Sequence, residues 1–176
     1  MAPKSSLMAA YLKKHDVPFT VDQDHSLDMR QRADAQRLLS VHQISALENI
    51  SMSHTKQGLM NRREANKVSA ALKNLRSRSL RGVHVKDIMI TCRKDKWLDH
   101  NDDPKGAFTY QSKLTAANWI AKTTKGTNEY RNCTHAVYLS KLNLSPNIIA
   151  YLGVDRQFEK DWAVSELIQW LYRTGL

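Results

Sequence analysis

The chain has 176 residues, 41% apolar and 25% charged, which is long enough for a real core and too apolar for a wholly disordered protein. Net charge is the outlier: +10, with a pI near 9.7, favours a polyanionic partner such as DNA, RNA or an anionic membrane face. Cys92 and Cys133 are the only cysteines, with no CxxC pair and no zinc-ligand spacing, which argues against a metal site and fits a reducing compartment.

In chain order, the N-terminal Met-Ala-Pro-Lys-Ser-Ser lacks the apolar core of a secretory signal. No apolar run approaches the roughly 18–20 residues of a membrane span. The expectation is a cytoplasmic protein, in the host cytoplasm or virion if viral. Ser6 to His15 predicts a short helix closed by Asp16-Val-Pro18. Ser26 is a candidate N-cap for a second helix to about Asn49, its apolar residues (Leu38, Leu39, Val41, Ile44, Leu47) crowded late. A turn is expected near Ile50–Thr55. A third helix is predicted over Leu59–Leu80, with Met60, Val68, Ala71, Leu72 and Leu75 on one face.

That third helix carries most of the charge. Between Lys56 and Arg81 stand eight Lys/Arg and one acid, Glu64. A solvated face explains most charge runs, but like charges without acidic partners four residues away repel, and phosphates would relieve them. Arg62, Arg63, Lys67, Lys73, Arg76, Arg78 and Arg81 are therefore the candidate nucleic-acid contacts.

Composition changes at Gly82, giving an expected division into a basic helical region, 1–81, and an α/β domain, 82–176. Val83–Thr91 predicts a strand ending in an apolar run suited to a central position. Asp99 to Gly106 is a polar loop. Leu114–Asn118 suggests a helical turn, Trp119–Lys122 and His135–Leu139 further strands, and Ser145-Pro146 a helix start with proline in first position. A last helix is expected from about Asp161, with Val164, Leu167, Ile168 and Leu171 on one face. Four tryptophans, at 97, 119, 162 and 170, read as core or interface anchors rather than base-stacking platforms.

Two segments have the order and spacing of nucleotide-facing motifs. One is Asn118-Trp-Ile-Ala-Lys-Thr-Thr-Lys-Gly-Thr-Asn-Glu-Tyr, followed by Thr134-His-Ala-Val-Tyr-Leu139. The other is the terminal Ile168-Gln-Trp-Leu-Tyr-Arg-Thr-Gly-Leu. Together, over about residues 85–176, they resemble the second RecA-like lobe of superfamily-two helicases, with phrases similar to a phage or plasmid branch. The resemblance implies a small RecA-like sheet with flanking helices and assigns a nucleotide face. Thr123 and Thr124 would offer hydroxyls, and Gly126 a close backbone approach. Gln169 would sit near the attacking water, and Arg173 would place a guanidinium against the γ-phosphate. The sequence departs from that family at Tyr172, where a glycine is usual, and at Leu176, where a final arginine is usual. No GxxxxGK[ST] loop occurs. The resemblance therefore implies no cofactor for this chain alone, and ATP with Mg only beside a first motor lobe. The implied partners are nucleic acid (DNA ahead of RNA) and that first lobe or another subunit.

Two other classes compete. A helix-turn-helix-like DNA-binding module would use helices 26–49 and 59–80, with Asn61, Arg62, Asn66 and Lys73 as contacts. A viral structural or assembly protein would turn a basic face toward packaged nucleic acid. An independent enzyme is the least supported. Cys133 two residues from His135 could form a nucleophile pair, but a buried cysteine beside a surface histidine is the ordinary case. The acids around His100 could hold a cation, though without a recognised ligand pattern.

Overall fold

Ile88-Met-Ile-Thr91 has no polar residue to turn toward water until its end, so it suits only a strand covered on both faces. The computed structural model, which describes residues 7–19, 40–124 and 129–171, places it there. This strand, β1 (Ile88–Thr91), is buried along its whole length. It lies between two parallel neighbours, β2 (Asn118–Trp119) and β3 (His135–Tyr138), in the order β2-β1-β3. The register pairs Met89 with Asn118 and Ile90 with Trp119 on one side, and Ile88 with His135 through Thr91 with Tyr138 on the other.

Two compact units divide the chain. Val41–Lys141 belong to one, and the described parts of Met1–Ser40 with Leu142–Leu171 to the other. In the first, a short helix α2 (His54–Leu59) is followed after two residues by α3 (Arg62–Arg78). The sequence reading ran one helix from Leu59. Asn61 breaks it: its side chain accepts from the Glu64 amide, and Glu64 in turn accepts from the Asn61 amide, a capping box that starts a new helix. Leu59 is left 76% exposed. Val68, Ala71 and Leu72 of α3 join Ile88, Ile90, Trp97, Phe108 and Leu114 in one core, so the compositional change at Gly82 falls inside this unit. Val85–Asp87, expected as strand, form a 3-10 turn entering β1. A one-turn helix α4 (Lys94–Trp97) leaves it.

Of the helix expected over 26–49, residues up to 39 lie outside the described part. Residues 41–44 are irregular and Ser45–Leu47 form a 3-10 turn, with Val41 80% exposed and Leu47 buried. Among the described residues, Val41, Ile44 and Leu47 do not form a helical stripe.

In the second unit, α1 (Leu7–Lys14) contacts α5 (Pro146–Leu152). His15 Nε2 lies 2.7 Å from the Tyr151 hydroxyl, and the Lys14 ammonium sits 4.7 Å from the Tyr151 ring centre. Ser145 caps α5 through the Ile148 amide, with Pro146 in the first turn, and Gly153 closes it at φ 64°. The last helix, α6 (Arg156–Leu171), begins five residues earlier than Asp161 because Asp155 accepts from the Phe158 amide. Val164, expected on its apolar face, is 54% exposed, while Trp170 is buried. No described helix is long and apolar enough to cross a membrane.

Candidate functional site at the carboxyl edge of the sheet

Because all three strands are parallel, their carboxyl ends open at one edge, where ligands of α/β sheets bind. Cys92 and Arg93 leave β1 there, Ile120–Thr124 leave β2, and Leu139–Lys141 leave β3. The ladder extends slightly past the strands: the Ile120 amide donates to Ile90 and the Leu139 amide to Thr91, each at 2.9 Å. Thr124 N–H then donates to the Ala121 carbonyl, making a turn that exposes Thr123 and half-buries Thr124. Thr123 and Thr124 thus lie at the carboxyl edge of the sheet.

A buried amide holds this edge together. Gln57 on α2 is 1% exposed; its Nε2 donates to Leu139 O at 2.7 Å and Met52 O at 2.9 Å, and its Oε1 accepts from the Arg93 amide at 2.9 Å. One side chain therefore links the ends of β1 and β3. The indole of Trp119 adds a bond to Cys92 O at 3.2 Å, joining β2 to the end of β1. Arg93 itself lies against Gly58, where a Cβ would stand 2.5 Å from its Nη1, and its Nε donates to Asp95. Neither Gln57 nor Arg93 was singled out from sequence. Arg93 carried a usable signal, a cation directly after the apolar run of a central strand. Gln57 carried none.

The cations of α3 fall into different environments. Arg62, Arg63, Lys67, Lys73 and Arg78 are exposed, as is Arg81 beyond the helix, and none has an ion-pair partner among the described residues. Positions 62, 66 and 73 share one edge of the solvent face and 63, 67 and 78 the other, along a helix about 25 Å long. Arg76 behaves otherwise: it is half-buried, and its guanidinium donates to the Leu80 carbonyl in the turn that follows the helix, a carbonyl that also accepts from the Val83 N–H. Glu64, the one acid, is engaged by Lys56 at 2.7 Å. That ammonium, with the Asn61 amide, holds its carboxyl below the usual carboxylate range. Gln169 is exposed on α6 in the other unit. Gly126 and Arg173 lie outside the described residues.

The Cys133–His135 pair does not form. The Cys133 thiol is buried 3.3 Å from Asn118 Nδ2, while His135 Nδ1 meets Thr134 Oγ1 at 2.9 Å. Burial pushes this thiol up, away from nucleophilic thiolate. The acids near His100 are taken up locally: Asp99 accepts from the Asn101 and Asp103 amides, Asp102 pairs with Lys94 and Asp103 with Lys105. Among the described residues no group of three or more His, Cys, Asp or Glu could hold a metal.

Burial pushes the Cys92 thiol up to about 12. In the unfolded chain it titrates near ~8.5, so the folded state holds its proton more tightly. That contribution to stability is complete below ~8.5 and is lost as pH rises toward the folded value. At pH 10 the parent should have lost about 2 kcal/mol through this thiol, over the roughly 1.5 pH units between the unfolded titration point and that pH. Urea unfolding of the parent and Cys92→Ala at pH 7 and 10 reads it: the variant should lose less than the parent between the two, and equal losses would refute the assignment.

A parallel β2-β1-β3 sheet with helices around it defines a Rossmann-like α/β domain. Residues 28–176 match the family described as the YonV C-terminal Rossmann-like domain, and the chain belongs to that family. No curated protein and no solved structure matches it.

Proposed function

We propose that the chain is the second lobe of a nucleic-acid motor, or derives from one, and that it grips the phosphate backbone with the exposed cations of α3. The observation that carries this reading is the carboxyl edge itself. The Thr123-Thr124 turn leaves β2 at the edge where α/β sheets take ligands, in a chain of Rossmann-like family. The two hydroxyls suit hydrogen bonds to a nucleotide whose phosphates and metal a first lobe would hold, since this chain has no phosphate loop. ATP with Mg would supply the free energy for movement along nucleic acid. This chain's part is to complete the nucleotide face with Thr123 and Thr124, and to hold the strand through its cations. A phage or plasmid setting and DNA as the target belong to the same proposal.

The test is anisotropy of labelled single- and double-stranded DNA over a salt titration. Lys73→Ala/Arg78→Ala is the informative variant, because Arg76 is spent on Leu80 and its removal would perturb the helix end. Each lost phosphate contact lowers the magnitude of the log–log salt slope by about 0.9 on duplex and about 0.7 on single strands. The double variant should therefore flatten it by between one and two. Absence of salt-sensitive binding in the parent would overturn the reading.

A further inference from the structure

The first unit has a cleft whose concave side, Arg62 apart, the proposed function leaves unused. It is about 340 Å³, at the lower end of the roughly 300–1,000 Å³ typical of small-ligand sites. Its polar lining is Asn61, Arg62 and Asn66 from the start of α3, Lys96 from α4, and Lys105 and Tyr110 from the segment after it. No carboxylate lines it, so three cations face one concavity. Lys105 is engaged by Asp103 at 2.6 Å; Arg62 and Lys96 have no ion-pair partner among the described residues. An anionic ligand is the natural complement.

Tyr110 narrows the choice. It is 76% exposed, although it follows the buried Phe108 and Thr109. Its segment is pinned: Gly106 N–H donates to Trp97 O and Phe108 N–H to Lys96 O, both at 2.9 Å, and Gln111 N–H to Ser69 Oγ at 2.8 Å. A backbone fixed so firmly, with its aromatic ring left in water beside unpaired cations, has the parts of a stacking platform. The cleft has room for one nucleotide residue, and a base offers its face only where it is unpaired and unstacked.

Resting on the nucleic-acid reading above, we propose that this cleft binds one nucleotide of a single strand, its base on Tyr110 and its flanking phosphates on Arg62 and Lys96. The side-chain amide of Asn66 lines the same cleft and is free to meet a base or sugar edge, whereas the Asn61 side-chain oxygen is engaged in capping α3. Selection of single over double strands follows from the ring, since the cations alone do not distinguish them.

The test compares a short labelled oligothymidylate with an abasic oligomer of the same length and charge, on the parent, Tyr110→Ala and Arg62→Ala/Lys96→Ala. All the altered side chains line the cleft rather than the core, and thermal melting checks that each variant is folded. The parent should bind the abasic oligomer about tenfold more weakly than oligothymidylate, and Tyr110→Ala should abolish that difference while leaving abasic binding unchanged. Arg62→Ala/Lys96→Ala should weaken both ligands and flatten the salt slope. If the parent binds both oligomers alike, or Tyr110→Ala keeps the parent's preference, the cleft assignment is wrong. Salt-sensitive binding that depends on Lys73 and Arg78 would then leave the broader reading standing. No salt-sensitive binding at all overturns both.

Discussion

Gly106→Ala should destabilise the protein by about 4 kcal/mol, the combined cost of a backbone clash and a broken hydrogen-bonded clasp. A Cβ there would stand 2.4 Å from the carbonyl carbon and oxygen of Lys96 and 2.6 Å from the Trp97 nitrogen. Main-chain atoms cannot swing aside as a side-chain tip can. Yielding would also pull apart the bonds from Gly106 to Trp97 and from Phe108 to Lys96, which set Trp97 and Phe108 in the core. Two other glycines calibrate the effect. A Cβ on Gly58 would stand nearest the guanidinium of Arg93, a side-chain tip that can shift where main chain cannot, so alanine there should cost far less. Gly82 has open space but sits at φ +87°, so alanine there should cost about 1 kcal/mol of backbone strain. Urea midpoints of the three variants give the ranking. A Gly106→Ala protein as stable as Gly58→Ala would contradict this packing.

Gln57→Leu should cost about 3 kcal/mol although it keeps volume and adds apolar surface. The leucine would strand the Leu139 carbonyl and the Arg93 amide and leave the Met52 carbonyl with the Lys141 N–H alone, and an unpaired buried polar group costs about 1–3 kcal/mol each before relaxation. Gln57→Glu separates the two halves of the site. Its carboxylate could still accept from Arg93 but would repel both carbonyls, so at neutral pH it should be at least as harmful as leucine. Chemical denaturation measures both. If either variant melts with the parent, the carboxyl ends of β1 and β3 are held by something other than this amide.

What could be read from the residues was what they dictate locally. Ile88–Thr91 could only be a covered strand, and Ser145-Pro146 could only begin a helix; both do. The α/β class followed from the order of such segments, and the small sheet with flanking helices from the resemblance; that its strands are parallel was legible in neither. Boundaries failed where a cap outweighed periodicity. The stripe from Leu59 ran straight through Asn61, although Asn61-x-x-Glu64 is itself a start signal. Asp155 was passed over in the same way, and α6 was begun five residues late. The site was less legible. Six of the seven cations between Arg62 and Arg81 are exposed, while helical spacing puts Arg76 four residues after the buried Leu72, on the core side, where it donates to the Leu80 carbonyl. Gln57 ties the sheet edge through partners 36 and 82 residues away, and Tyr110 gains meaning only from Arg62 and Lys96 across the cleft. A pattern within one window cannot contain such pairs.

The reach of Gln57 also sets a schedule. On a ribosome, α2 emerges long before Leu139, and until then one of the two carbonyls that take its amide protons has not been made. The closing of the sheet edge is a late event, separated from α2 by the whole of α3, β1 and β2. Pairing over such separations is slow, because the loop entropy is spent before the contact rewards it. A chain halted short of Leu139 would hold the capped α3 but leave Gln57 without one of its acceptors. Such intermediates would expose the apolar flank of β1, whose outer partner β3 comes last. During that interval the protein would depend most on chaperones.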